Sequence, residues 1–439
     1  MKRFIILLII LSIGPLGYSE VIFDPWLNGF GYRRPISLSP ATPQANYQVK
    51  VTLTTGVMDN PYSNINANGS DIRFTGSDGT TLQDYWIESW DNTGTSTIWV
   101  EVKTSGESII YMYYGNSSAS STSDISATFI RIVDGVKGSW HLDENSGYTA
   151  QDTSGNGNNG TLESATWTSG KYGSAVYFNG SSYRIKVLDS SSLRITGSVT
   201  VEAWVYNQHT GTSVKPIVAK YKSNTNQRGY QLDINAIGGT EPAYDYWVSN
   251  DGSTRDHVTF SSGEAGGPYP NQWKHVVGVY NQSLTTLTLY VNGNIVSGPK
   301  STSIGNVYAT PVDFYIGSNA VLSAFWLGKI DEVRVYNRAL TSPEISDIFN
   351  NYGYTTPNYP GKVLVRKYTS PETLAGSPGS EDSLVTQAGS ATDWSWKVPS
   401  QGEKVRSGSA TDWSWVTFQD DGTGLTVPKG SATDWEWGP

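Results

Sequence analysis

The sequence contains no cysteine and only four histidines, His141, His209, His257 and His275. A disulfide framework and thiolate metal sites are therefore excluded. No two histidines form a His-x-x-x-His pair, so the helical ligand set of a zinc hydrolase is absent too. Charged residues make up only 16% of the chain, and the net charge is −9 with a pI near 5.0. A nucleic-acid partner wants a basic face, and so does an anionic lipid surface. Neither is expected. Beyond the first twenty residues no long apolar run occurs, so no membrane insertion is expected of the mature chain. A Gly-x-Ser-x-Gly elbow and a phosphate-binding loop are missing as well.

Glycine (46), tyrosine (27) and tryptophan (16) are plentiful. Many aromatics with many turn formers describe short strands joined by tight loops. A length of 439 residues suits two or three domains. At the N-terminus Lys2 and Arg3 precede the apolar run from Phe4 to Leu11, and Pro15 breaks it. Gly17 and Ser19 fit the small-residue positions of a cleavage after Ser19, so residues 1–19 read as a signal peptide. The apolar run is short for a bilayer span, although an uncleaved anchor is the competing reading. The protein is expected to be secreted or held at the cell surface.

Residues 20–125 read as a β-sandwich. Gln48–Thr54 alternates polar and apolar residues, as do Asp71–Phe74, Thr97–Val102 and Ser108–Tyr114. Asn68-Gly69, Asp78-Gly79 and Asn92-Thr93-Gly94 separate them as turns, and the stretch Ser117–Ser123 reads as a linker. The motifs Tyr32-Arg-Arg-Pro-Ile36, Ser70-Asp-Ile-Arg-Phe74, Tyr85-Trp-Ile-Glu88, Ile98-Trp-Val100 and Tyr111-Met-Tyr-Tyr-Gly-Asn116 follow in order. In these the segment resembles a small secreted prokaryotic β-domain family of unknown function.

Residues 132–353 form the second unit. Strands are expected at Tyr183–Val187, Val199–Tyr206, Tyr230–Ile234, Trp273–Tyr280, Leu287–Val291, Asp313–Ile316 and Gly328–Tyr336. Asn292-Gly293 predicts a hairpin turn that needs positive φ. A short helix starting with Ser342-Pro343-Glu344, with Ile345, Ile348 and Phe349 on one face, is expected to close the unit. The motifs Gly138-Ser-Trp-His-Leu-Asp-Glu-Asn-Ser-Gly147, Asp152-Thr-Ser-Gly-Asn-Gly-Asn-Asn-Gly160 and Gly173-Ser-Ala-Val-Tyr-Phe-Asn-Gly180 come first. Val199-Thr-Val-Glu-Ala-Trp-Val205, Gln272-Trp-Lys-His-Val276, Leu289-Tyr-Val-Asn-Gly293 and Gly328-Lys-Ile-Asp-Glu-Val-Arg-Val-Tyr-Asn-Arg-Ala-Leu340 complete the set. Together they resemble a laminin G-like, concanavalin A-like jelly roll, which implies two stacked antiparallel sheets in an all-β protein.

Residues 354–388, Pro-rich at their start, read as a linker before a Trp-rich tail at 389–439. In that tail Gly389-Ser-Ala-Thr-Asp-Trp394 recurs at 408–413 and 430–435, each time continuing Trp-x-Trp. Such repeats suggest small stacked β-units. The rings either pack in a small core or form an exposed strip that binds glycans or self-associates.

Catalysis is not expected. Related glucanases carry Glu-x-Asp-x-x-Glu on one strand, which is missing here, and glycosidases need two carboxylates flanking the sugar bond. Glu202 stands alone, and the adjacent Asp331 and Glu332 should point to opposite faces of their strand. The resemblance implies a structural Ca²⁺ instead, between an early loop and the Ile-Asp-Glu strand. The matching positions are Asp152, Asn179 and Asp331, with Asp143 and Asn158 as further candidates. The alternative is that Asp152 and Asn158 merely cap turns. In related lectins the concave sheet or rim loops bind sugar, the candidate stacking residues here are Tyr244, Tyr246, Trp247, Tyr269 and Trp326, and the stretches Tyr244–Arg255 and Ser261–Pro270 read as loop-rich. These side chains either stack on sugar rings or pack in the core. The expected role is binding of carbohydrate or extracellular matrix. The alternatives are a structural subunit of a surface layer, filament or appendage, with self-association through the tail, and a non-catalytic accessory module of a polysaccharide-degrading system.

Overall fold

A computed structural model describes residues 26–60, 62–211, 213–235, 242–261, 267–268, 270–321, 323–385, 404–409 and 412–417. Among the described residues almost every element is a strand, and all but one of the strand-to-strand pairings are antiparallel. Among the described residues no helix is long and apolar enough to cross a membrane. The signal-peptide reading falls on residues outside those described.

In the N-terminal module the strands run in the order Tyr47–Thr54, Thr95–Val102, Leu82–Ser89, Arg73–Thr75, Ile109–Tyr114, Tyr32–Ser39. Tyr47, Val49, Val51 and Leu53 are buried on one face, while on the other Lys50 and Thr52 are exposed and Gln48 is buried against the returning segment, accepting from Lys367 N–H. The apolar faces enclose a single core that includes Ile36, Val51, Phe74, Tyr85, Ile98 and Met112.

The second unit is a sandwich. Its front sheet runs Arg255–Ser261, Ala243–Ser249, Gln227–Asn235, Lys215–Lys222, Phe314–Ile316, Arg184–Val187, Gly160–Glu163, Thr149–Ala150. Its back sheet runs Thr166–Ser169, Ser174–Asn179, Leu327–Tyr336, Val199–Asn207, Trp273–Asn281, Thr286–Val291, Asn294–Ser301, with Val136–Trp140 pairing the Leu327–Tyr336 strand. Between them lies the main core, with Trp140, Phe178, Val201, Leu232, Tyr246, Leu289, Phe314 and Val333. Gly278 is required there, since a Cβ at that position would sit 2.1 Å from the Tyr246 ring. The Asn292-Gly293 hairpin is as expected, with both residues at positive φ (50° and 79°).

The outer face of the back sheet is covered. The helix Ser342–Asn350 lays Ile345 and Ile348 against Val277, Val279 and Tyr290. Its cap is Thr341 rather than Ser342, in a capping box with Glu344. Beside it a small sheet runs Tyr352–Tyr354, Lys362–Arg366, Arg131–Asp134.

The segment expected as a linker is therefore built into the fold. After Lys362–Arg366 the chain returns to the first module, where Leu374–Ala375 and Asp382–Val385 pair with Tyr32–Ser39. The apolar triplet Val363-Leu364-Val365 drives this, because all three are fully buried. Of the tail, Lys404–Ser409 and Asp412–Thr417 pair antiparallel and include the two ends of the second repeat. The first and third repeats lie outside the described residues.

Candidate functional site

The front sheet turns Leu232, Ile234, Tyr244, Tyr246, Val258 and Phe260 into the core. By alternation Gln231, Asp233, Asp245, Trp247, His257 and Thr259 share its other face. The register sets Gln231 opposite Trp247 and Asp233 opposite Asp245. On the next strand His257 lies opposite Trp247, and Thr259 opposite Asp245. Six side chains thus make one patch across three adjacent strands. Gln231, Asp233, Asp245 and Trp247 are buried, and the His257 side chain is 38% exposed.

Asp233 Oδ2 accepts from Trp247 Nε1 at 3.1 Å and from the Gln231 amide. Asp245 Oδ1 lies 2.9 Å from His257 Nδ1. Tyr221 meets Trp247 edge-on at 4.2 Å, and the Arg255 guanidinium sits 4.8 Å over the Trp247 ring. Burial, and then the facing Asp245, push the Asp233 carboxyl up to about 8. The hydrogen bond to Asp245 raises His257.

Gln231 Oε1, Asp233 Oδ1 and Thr259 Oγ1 are buried in this patch without any partner. A buried polar atom left unpaired costs about 1–3 kcal/mol. Gln231 Oε1 is an acceptor, the Thr259 hydroxyl both donates and accepts, and the Asp233 carboxyl, pushed up to about 8, keeps its proton at neutral pH and can also donate, so the patch lacks partners of both kinds. A polyhydroxylated ligand supplies both in number. Residues 236–241 and 262–266, which adjoin these strands in sequence, lie outside those described.

Four of the five candidate sugar-stacking residues are in the interior rather than on loops. Ala243–Ser249 is a strand with every residue buried. Tyr244 and Tyr246 are core residues, the latter donating its OH to Val199 O at 3.2 Å. Trp326 is fully buried in the same core. None of the three can offer a ring face to solvent. Trp247 faces the acid patch but is itself 1% exposed, held under Tyr221 and Arg255. Tyr269 lies outside the described residues.

The candidate calcium ligands do not form one site. Asp152 accepts from the backbone N–H of Ser139, Ser154 and Asn158 and from Ser154 Oγ, so both its oxygens are spent holding its loop. Asn158 donates its amide to Lys137 O and Ser192 Oγ. Asn179 Oδ1 caps its turn by accepting from the N–H of Ser181, Ser182 and Tyr183. Asp143 accepts from Ser174 N–H, and Asp331 from Lys171 and Tyr172 N–H. Asp331 Oδ1 is buried without a partner, yet no group of three acids or histidines able to hold a metal occurs among the described residues. These five residues do not fit the Ca²⁺ the resemblance implies.

Asp331 and Glu332 do not point to opposite faces. Glu332 adopts φ 51° at a bulge where the pairing with Glu202 and Trp204 shifts. The inserted residue carries both carboxylates to the covered side, while Ile330 and Val333 face the core. Glu332 there accepts from Arg334 and lies 2.9 Å from His141 Nδ1. Glu202 lies in the same layer and is fully paired. It meets His275 Nε2 at 3.1 Å, Arg334 at 3.1 Å and the Tyr336 OH at 2.7 Å. Burial works against ionisation, but His275 and Arg334 outweigh it and hold Glu202 down to about 2.

The second unit is thus a concanavalin A-like domain set against a smaller β-module. Residues 182–346 match the model of the Concanavalin A-like lectin/glucanases superfamily, and residues 68–145 match that of a Domain of unknown function (DUF2341). No curated protein matches the chain. Among solved structures, domain 4 of AbnA, an extracellular arabinanase from Geobacillus stearothermophilus, in complex with arabinotriose, is 20% identical, covering 49% of this chain and 98% of its own, with a TM-score of 0.37. The binding domain of Paraclostridial Mosquitocidal Protein 1 is 16% identical over 49% of this chain and 52% of its own, with a TM-score of 0.40. A botulinum neurotoxin serotype D/C binding domain is 14% identical over 49% and 52%, with a TM-score of 0.38. The chain spans about half the length of these toxin domains. Scores this low carry no argument about function.

Proposed function

We propose that this protein is a non-catalytic carbohydrate-binding protein whose concanavalin A-like domain holds the glycan on the outer face of its front sheet. The observation that carries the reading is the set of three unpartnered buried atoms, Gln231 Oε1, Asp233 Oδ1 and Thr259 Oγ1, gathered beside Trp247. Sugar hydroxyls both donate to and accept from such groups, and the family match of residues 182–346 supports the same ligand class. His257 and Arg255, the more open members of the patch, would sit at its mouth. The apolar run ahead of Pro15 supports export, with the glycan met outside the cytoplasm.

The test is an array of neutral and acidic glycans probed with the full chain and with Asp245→Asn. Saturable binding to a glycan group that drops at least tenfold in the variant supports the reading. Binding to no glycan sinks it, and turnover of a glycan would replace it with catalysis by the facing pair Asp233 and Asp245.

A further inference from the structure

A second polar and aromatic recess lies where the two modules meet. It is an open cleft of about 720 Å³, within the range of small-ligand sites. Three parts of the chain build it: the N-terminal module gives Lys50 and Trp99, loops of the sandwich give Asp143 and Tyr172, and the returning segment gives Tyr352, Arg366 and Tyr368. Neither module makes the cleft alone.

Its aromatic lining is continuous. Tyr172 meets Tyr352 at 5.0 Å and Tyr368 at 4.9 Å between ring centroids, and Trp99 meets Tyr354 at 4.9 Å. Arg366 bridges the two groups, lying 5.1 Å from the Trp99 centroid and 4.7 Å from that of Tyr352. The walls are also held in place. Glu88 of the first module accepts from Trp99 Nε1 at 2.9 Å and from Tyr354 OH at 3.1 Å, and also from Thr356 and Asn358. A recess braced in this way costs little ordering when a ligand enters.

The polar groups decide what fits. Lys50 and Arg366 face Asp143 and Glu372, so the formal charges cancel. Arg366 pairs with Glu372 at 2.6 Å, and its Nε is buried without a partner. Asp143 spends one oxygen on Ser174 N–H at 2.8 Å, and Lys50 Nζ lies 5.9 Å from the ring centroids of Trp99 and Tyr354. Donors and acceptors are therefore both on offer, with no excess of either sign to select a phosphate or a carboxylate. Trp99 and Tyr352 are buried behind Arg366, so the half-buried rings of Tyr172, Tyr354 and Tyr368 are those that can meet the C–H face of a sugar, and the surrounding charged groups suit its hydroxyls. We propose that this cleft is a second carbohydrate site, for a neutral oligosaccharide, and that the N-terminal module of unknown function serves as half of it.

The proposal takes its ligand class from the carbohydrate reading but not its location. The test is calorimetric titration of the full chain with neutral oligosaccharides cut from arabinan, xylan and β-glucan, and with oligogalacturonate as the acidic probe. Lys50→Ala/Asp143→Asn changes two exposed side chains and should leave the fold intact. Asp245→Asn reports on the front sheet. The expected result is two sites per wild-type chain for a neutral sugar and one in each variant, with cleft affinity down about tenfold or more, as loss of charged hydrogen bonds implies. If Lys50→Ala/Asp143→Asn still shows both sites, the cleft proposal falls while the front-sheet reading stands. Tighter binding of oligogalacturonate overturns the neutral assignment. No binding of any sugar by the wild type removes both readings together.

Discussion

Two buried carboxylates of the sandwich, one on each sheet, are treated in opposite ways. On the back sheet Glu202 is sealed under a helix and a small sheet, and three donors meet it. On the front sheet Asp233 is equally buried, but it faces another acid and keeps Oδ1 unpaired. Burial is the same and partnership is not. A fully partnered buried charge is a structural device, because removing its partners is what costs stability. A buried polar atom without a partner lowers stability, and a ligand that supplies the partner recovers that loss. The contrast separates a joint that holds the cover in place from a surface that receives something.

The largest effect should come from breaking the partnered side. Glu202→Gln removes the carboxylate that Arg334, His275 and Tyr336 share and leaves Arg334 only Glu332 as counter-charge, and by the behaviour of buried pairs it should cost about 3–5 kcal/mol in urea unfolding. The unpartnered side should respond with the opposite sign. Asp233→Asn keeps an acceptor for Trp247 Nε1 and removes the repulsion with Asp245, so at pH 8 it should raise the unfolding free energy by about 1–3 kcal/mol. Equal losses in the two variants would erase the distinction.

The pH profiles sharpen the same contrast. Asp233 binds its proton more tightly when folded, so the folded state holds more protons than the unfolded chain between the ordinary aspartate range and about 8. Its contribution is present at low pH and is lost as pH rises through that window. Glu202 is held down to about 2, so its contribution is present above the ordinary glutamate range and is lost as pH falls toward 2. Stability measured from pH 3 to 9 should fall at both ends, and Asp233→Asn should flatten the alkaline limb only. A smaller effect tests the cover. Gly293 sits at φ 79°, and a Cβ there would lie 2.9 Å from Phe349 of the helix, so Gly293→Ala should cost about 1–2 kcal/mol by thermal unfolding.

Much of this fold is legible in the residues. Tyr47–Thr54 and Ile109–Tyr114 show the period of two, and Asn292-Gly293 names its own turn. Ala243–Ser249 was not legible as a strand, because both its faces are covered and Ala-Tyr-Asp-Tyr-Trp-Val-Ser lacks clean polar alternation. The returning segment misleads for another reason. A Pro-rich stretch resembles a linker, and only Val363-Leu364-Val365 betrays a buried strand. The bulge at Glu332 depends on tertiary pairing and leaves no local sign.

The candidate site was legible only in pieces. Gln231-Leu-Asp233-Ile alternates polar and apolar residues, a signal that its polar members share the side away from the core, whereas Tyr244-Asp245-Tyr246-Trp247 offers only Asp245 as such a sign. What sequence alone does not supply is the register that sets Asp233 against Asp245 across strands twelve residues apart. The ring-bearing residues Tyr244, Tyr246 and Trp326 attracted the sugar reading because aromatics suit sugars, but their burial shows that here they build the wall behind the site.

The central claim is that the unpartnered acid face receives a glycan. The most direct measurement is thermal unfolding of the wild type and Asp233→Asn, each with and without a bound neutral oligosaccharide at saturation. The prediction is that Asp233→Asn melts higher than the wild type without sugar and gains less from it. A variant that melts lower without sugar and keeps the full sugar-induced rise would contradict the claim.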